Sequence, residues 1–137
     1  MNQHDVTPLD LSSLHDAELE SLVIDRSNAR VEIVYTKVDG STVRLKFEGV
    51  LTLRTSGFRF QNVVHGVVLS SIVRIGDSNI DRIARWVCSV DDGKLLIEPA
   101  KLNEFIRRIS DNKLILFHAD PSWGAEIGIL CEKITLG

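Results

Sequence analysis

From residue 18 onward the chain alternates apolar and polar positions with a period of two. In "ELESLVIDRSNARVEIVYTKVDGSTVRLKFEGVLTLRT", Val31, Ile33 and Tyr35 fall on one side of an extended backbone and Glu32, Val34 and Thr36 on the other. Val43, Leu45 and Phe47 alternate in the same way with Arg44 and Lys46. Successive side chains of a strand point to opposite faces, so this pattern predicts consecutive strands with one face in a core and one largely in water. Ser27-Asn28 marks the first turn. Asp39-Gly40, which tolerates positive φ, predicts a hairpin between strands at 31–38 and 41–47. Gly49 permits a bend before a further strand at 50–55, where Leu51 and Leu53 alternate with Thr52 and Arg54.

Beyond residue 58 the period weakens. "VVHGVVLSSIVRI" is rich in β-branched residues and predicts a strand near 67–75. "GDSNIDRIARWVCSVDDGKLLIEP" reads as a turn, a strand at about 84–90, a turn at Asp91-Asp92-Gly93 and a short strand at 95–97. "PAKLNEFIRRISDN" is different. Leu102, Phe105, Ile106 and Ile109 stand at i, i+3, i+4 and i+7, Pro99 suits a first helical turn, where its missing N–H has no partner to lose, and Asp111-Asn112 can end the helix. A helix over about 99–111 follows, with its apolar stripe laid on the sheet. Two closing strands, in "KLILFHA" and "AEIGILCEKITL", flank the turn-forming "DPSWG". No repeat, linker or low-complexity tract interrupts the chain, so a single domain is expected over residues 1–137. The expected fold is α+β: an antiparallel sheet of about seven or eight strands, twisted or partly closed, with one helix packed on it. Exposed strand edges invite pairing, which makes a homo-oligomer through an edge strand an expected mode of association.

Composition sharpens this picture at a few points. With 44% apolar and 26% charged residues over 137 positions, the chain has the make-up of an ordinary globular domain. Folding at this length hides roughly two-thirds of the unfolded surface. A net charge of −3 argues against nucleic acid as a partner, which would call for a basic surplus. The charge is unevenly spread: Asp5, Asp10, Asp16, Glu18, Glu20 and Asp25 crowd the first 25 residues, which carry no Lys or Arg. No apolar run approaches the ~20 residues of a membrane span. "MNQHDVTPLDLSS" has neither the basic nor the apolar region of a secretion signal, so no membrane association and a cytoplasmic location are expected. Cys88 and Cys131 lie far apart in apolar surroundings and are expected to be buried free thiols.

The candidate chemistry is sparse. His15-Asp16 has the form of the metal-binding pair of helical phosphohydrolases, but those enzymes carry further ligands on helices, whereas strands surround this pair. A structural role is expected instead, with Asp16 accepting backbone N–H groups and His15 bridging to a main-chain carbonyl. His4, His15, His65 and His118 show no zinc-ligand spacing, so neither a metal nor a cofactor is expected. Cys88, His118 and Asp120 include the residue types of a nucleophilic site, but no G-x-S-x-G elbow or phosphate-binding glycine motif is present, and no catalytic residue is assigned. Trp123, in a turn with Asp120 before it and Glu126 after, is either an exposed anchor for a partner or a lid over the end of the core. His15, Asp16, His118, Asp120 and Trp123 are the candidate partner-binding residues.

The opening "LHDAELES", the "LKFEGVLTL" stretch and the late "DPSWGAEIGILCEKI" resemble a group of small, stand-alone, β-rich bacterial proteins, some regarded as immunity proteins of polymorphic toxin systems. The likeness covers residues 14–55 and 114–136, and implies a cytoplasmic, non-enzymatic binder that blocks a protein partner such as a toxin domain. It transfers no functional residue. Two functions are therefore carried forward: a protein-binding module of the immunity-inhibitor kind, and a small-molecule-binding protein or enzyme with its pocket inside a curved sheet. A flat acidic or aromatic patch would favour the first, and a concave apolar pocket with convergent His and Asp the second.

Overall fold

The computed structural model describes residues 4–72, 77–91 and 93–137. Among them the elements run β1 (His4–Asp5), α1 (Pro8–Ser12), β2 (Glu18–Asp25), β3 (Arg30–Thr36), β4 (Thr42–Glu48), β5 (Thr52–Ser56), β6 (Val63–Leu69), α2 (Asp77–Val87), α3 (Pro99–Ser110), β7 (Ile115–Trp123), β8 (Glu126–Cys131) and β9 (Lys133–Leu136). All strands join one antiparallel sheet in the order β1-β9-β4-β3-β2-β6-β7-β8-β5. β1 contributes only two residues, so eight strands make up the body of the sheet, which does not close on itself.

Register turns the period-two pattern into two layers. Across β2, β3, β4 and β9, Ile24 stands beside Val31, Phe47 and Ile134, and Leu22 beside Ile33, Leu45 and Leu136. These rows form the inner face. The alternate rows are charged: Asp25, Arg30, Glu48 and Lys133 in one, Val23, Glu32, Lys46 and Thr135 in the next. Opposite charges meet as neighbours on this uncovered face, and Arg44 pairs with Glu32. In the other half Leu69, Phe117, Ile129 and Leu53 continue the inner layer. The two halves meet where Phe47 and Phe117 pack edge to face, 5.0 Å between ring centres.

The joint between the halves is a shared corner. β4 runs into β5 through residues 49–51, and β8 runs into β9 through Glu132, whose N–H donates to the Glu48 carbonyl. Gly49 adopts φ +62°, and a Cβ there would lie 2.2 Å from Oε1 of Glu132, so the corner requires a glycine for both reasons.

α2 and α3 cover the opposite face of β7 and β8. Leu102, Phe105 and Ile109 of α3 join Ile83, Ala84, Val87 and Cys88 in a second core, floored by Leu114, Leu116 and Leu130. The helix expected at 99–111 is α3, ended at Asn112 in the left-handed region. The strand expected at 84–90 is corrected: its larger part is the end of α2. Ile80, Ile83, Ala84 and Val87 carry a helical i, i+3, i+4, i+7 stripe, which the β-favouring Trp86-Val87-Cys88 obscures. The strand expected at 95–97 reduces to one bridge between Ser89 and Leu95. Of the turn expected at Asp91-Asp92-Gly93, Asp92 lies outside the described residues, and the Asp91 carboxylate accepts the N–H groups of Gly93 and Lys94.

The strand expected near 67–75 lies earlier, as β6, and residues 73–75 fall outside the described residues. α1 was not expected. It is short, but Thr7 and Asp10 form a reciprocal capping box and Pro8 occupies its first turn. β7 continues through Asp120-Pro121-Ser122-Trp123, leaving only Gly124-Ala125 as the turn. Proline offers no N–H to a ladder, and the β6–β7 register is irregular on both sides of the Val64–Pro121 pair.

One core position is imperfect. The Tyr35 hydroxyl is buried without a hydrogen-bond partner among the described residues, and burial pushes its pKa upward. An unsatisfied buried hydroxyl costs about 1–3 kcal/mol. Tyr35→Phe is expected to raise stability by about 1 kcal/mol, read as a higher urea midpoint at unchanged slope. A lower midpoint would show that the hydroxyl is bonded in solution.

Candidate functional site

The β5–β6 loop, residues 57–62, and the β7–β8 turn form one rigid surface. Gly57 and Gly124 both have left-handed φ, +82° and +86°, and lie against each other. Asn62, buried beneath them, accepts the N–H groups of Arg59 and Ala125 on Oδ1 and donates from Nδ2 to the Arg59 carbonyl. A Cβ on Gly124 would sit 2.3 Å from that same Oδ1, so the turn can hold only glycine. The frame presents three aromatic rings to solvent: Phe60 is fully exposed, and Phe58 and Trp123 are 51% and 52% exposed. The Arg59 guanidinium stacks on Trp123 at 4.5 Å from the ring centre. Glu18 borders the loop through a 2.7 Å bond from Gln61 Nε2.

This arrangement has the makings of an interface anchor. Aromatic side chains carry large contact areas with few rotatable bonds, and the buried Asn62 fixes the loop before any partner arrives. Trp123 is thus on the surface rather than a lid over the core. Phe58, Phe60 and Asn62 escaped the sequence reading. The one signal was "GFRFQN", two aromatics flanking an arginine between a glycine and an asparagine, and it is indistinguishable from a short strand without knowing that Trp123 lies beside it.

His118 is in a different place. It stands opposite Gly128 on β8, and Gly128 stands opposite Arg54 on β5. A Cβ on Gly128 would be 2.3 Å from Val87 and 3.0 Å from the Trp86 ring, so glycine is what lets α2 settle here. Trp86 fills the notch, edge-on to His118 at 6.0 Å and under the Arg54 guanidinium at 4.4 Å. His118 Nε2 lies 2.7 Å from Glu126 Oε2, with its side chain 7% exposed and that of Glu126 31%. Buried under helix α2, His118 ties α2 to the sheet; Asp120, on the same face of β7, remains exposed.

His15 and Asp16 form a third location, between α1 and β6. His15 Nδ1 is 2.6 Å from the His65 carbonyl, as the sequence suggested, and the two imidazoles meet edge to face at 5.7 Å. The expectation for Asp16 is corrected in its mechanism. Its own N–H donates to Val64 O at 2.9 Å, and the residue sits at φ +63°, a conformation aspartate tolerates better than most. Its carboxylate is 3.7 Å from His15 Nε2. The five candidates therefore separate into His15 with Asp16, the buried His118, and Asp120 with Trp123 on β7.

The acidic N-terminal run is spent largely on local bonds. Asp10 closes the capping box, Asp25 caps the turn at Arg26–Asn28, Glu20 accepts from Thr36 Oγ1 and Glu18 from Gln61. Cys88 and Cys131 are buried, and desolvation raises both thiols, Cys131 to about 12, so neither is a nucleophile near neutral pH. Among the described residues no three His, Cys, Asp or Glu side chains gather as a metal-binding group, and no helix is long and apolar enough to cross a membrane. An open depression of about 380 Å³ lies beside His15, His65 and Leu11, and the inner layer of the sheet packs as one buried apolar cluster. No protein-family model matches the chain, and no curated protein is significantly similar to it.

Proposed function

We propose that this chain is a non-enzymatic protein-binding module that engages its partner through Phe58, Phe60 and Trp123, with Arg59 supplying a directed positive charge. The observation that carries this reading is the exposed aromatic group held rigid by a buried asparagine, Asn62. Exposed aromatics on a preformed frame bind with little ordering cost, and a partner with an apolar recess beside a carboxylate complements them. The resemblance of "LHDAELES", "LKFEGVLTL" and "DPSWGAEIGILCEKI" to small β-rich bacterial proteins, some of them regarded as immunity proteins, supports the narrower reading, an inhibitor of a toxin domain acting in the cytoplasm. The packing of the inner layer as one buried apolar cluster favours this function over a small-molecule site inside the sheet.

The test takes the product of the reading frame immediately upstream as the probe. Calorimetry should show binding, and Phe60→Ala and Trp123→Ala should each weaken it by about tenfold or more, as interface anchors do. Both variants should keep the wild-type urea midpoint, since neither ring is in the core. Absence of binding, or wild-type affinity in both variants, would remove the proposal.

A further inference from the structure

Among the described residues, β2 has one side largely unpaired. It meets β6 only at the Glu18–Val63 pair, and the Leu19 N–H reaches Asn62 O just beyond. From Ser21 to Asp25, β2 pairs with β3 alone among the described residues. Such an edge offers a row of unpaired backbone donors and acceptors, and proteins commonly blunt it with lysine, proline or a bulge. Residues 21–25, "SLVID", carry none of these. The bulge in this strand lies earlier, between Leu19 and Ser21. Val23 on the outer face and Ile24 on the inner face are both more than half exposed.

We propose that two copies of this chain associate by antiparallel pairing of residues 21–25 of β2 about a two-fold axis at Val23. The side-chain pattern selects this occupant and this register. When the two inner faces stay on one side of a continuous sheet, directly opposed residues must share a face, which allows a centre at Leu22, Val23 or Ile24. Centred on Val23, the pairing puts Val23 against its own copy on the outer face and Ile24 against Leu22 on the inner one. Both exposed apolar side chains are covered in a single step. Ser21 meets Asp25 at each end of the five-residue ladder, which stops short of the bulge before Ser21 and of the turn that begins at Arg26. A centre at Leu22 sets Val23 against Ser21, and a centre at Ile24 sets Val23 against Asp25. Only the Val23 register thus gives both exposed apolar side chains an apolar partner across the two-fold axis.

Sedimentation equilibrium on the whole chain tests this. A reversible monomer–dimer equilibrium is expected, with Val23→Lys weakening the dimer by about tenfold or more, because it sets two like charges directly opposite each other at the two-fold axis. A second measurement guards against variants that merely perturb β2. Val23→Cys should oxidise to a covalent dimer much faster than Leu96→Cys, a comparably exposed position, while Cys88 and Cys131 stay buried and unreactive. A chain that remains monomeric at millimolar concentration, a Val23→Lys variant that dimerises as the wild type does, or equal oxidation of the two cysteine variants would each overturn the proposal.

Discussion

Phe47→Ala is expected to lower the unfolding free energy by about 3–5 kcal/mol, towards the upper end of that range. The ring is fully buried in β4, between Val31 of β3 and Ile134 of β9, and it meets Phe117 edge to face. Truncation removes apolar contact on every side, and leaves a cavity that strands on both flanks are too constrained to fill. The lost aromatic pair adds about 0.5–1.5 kcal/mol to the area term. A domain of this size has about 5–15 kcal/mol in all, so the variant should be partly unfolded well below the wild-type melting temperature. Urea denaturation checks it: a shift worth under about 2 kcal/mol would mean that the two halves of the sheet do not depend on this contact.

Phe105→Ala is expected to cost about 3 kcal/mol, the lower end of the same range. Phe105 is 8% exposed, and Lys101 lies over its ring at 5.3 Å, so part of the ring already faces the helix surface. The larger question is whether α2 and α3 can come away while the sheet persists. β7 and β8 serve both cores, with Leu116 and Leu130 directed to the helices and Phe117 and Ile129 to the inner layer. Losing the helices would expose Leu116 and Leu130, and unfolding is therefore expected to be a single transition. The chain's two tryptophans report on it separately, Trp86 in the helical layer and Trp123 on the loop surface. Non-coincident transitions of variants keeping only one tryptophan would show the helical layer to be an independent unit.

The elements legible in the chain were those whose periodicity came with boundary residues. The hairpin of β3 and β4 is an example: Lys37 N–H reaches Ser41 O, Asp39 accepts from Ser41, and Gly40 takes φ +86°. α3 is another, with proline at its start and an apolar stripe at helical spacing. α2 reads as a strand in the sequence because its helical stripe is built from isoleucine and valine beside a tryptophan, with only Ala84 favouring a helix, and the other three residue types locally favour a strand. Packing on Leu114, Leu116 and Leu130 outweighs that local preference, since burying several side chains contributes more than the few tenths of a kcal/mol per residue that propensity supplies.

For the candidate site the division is sharper. Trp123 could be singled out from its turn, and the pairing of His15 with a carbonyl was anticipated, because both depend on neighbours in sequence or on ordinary side-chain valence. The union of Phe58, Arg59 and Phe60 with Trp123 could not, since it joins residues about sixty positions apart and depends on one buried amide, Asn62, bonding to both segments.

What the sequence alone determined about this protein is the set of local decisions: which segments extend, where hairpins turn, which face of each strand is apolar, where α3 begins and ends, and that both thiols lie in apolar surroundings. These follow from side-chain alternation, turn chemistry and capping, which act over a few residues. Only the tertiary structure decided the rest. It placed β9 beside β4 and β5 beside β8 at the Gly49 corner, made a helix of residues 77–87, buried His118 under Trp86 while leaving Trp123 in solvent, and, among the described residues, left the Ser21–Asp25 side of β2 unpaired. Each of these depends on which distant surface a segment meets, and the free energy of that meeting is set by shape and burial between parts of the chain far apart in sequence.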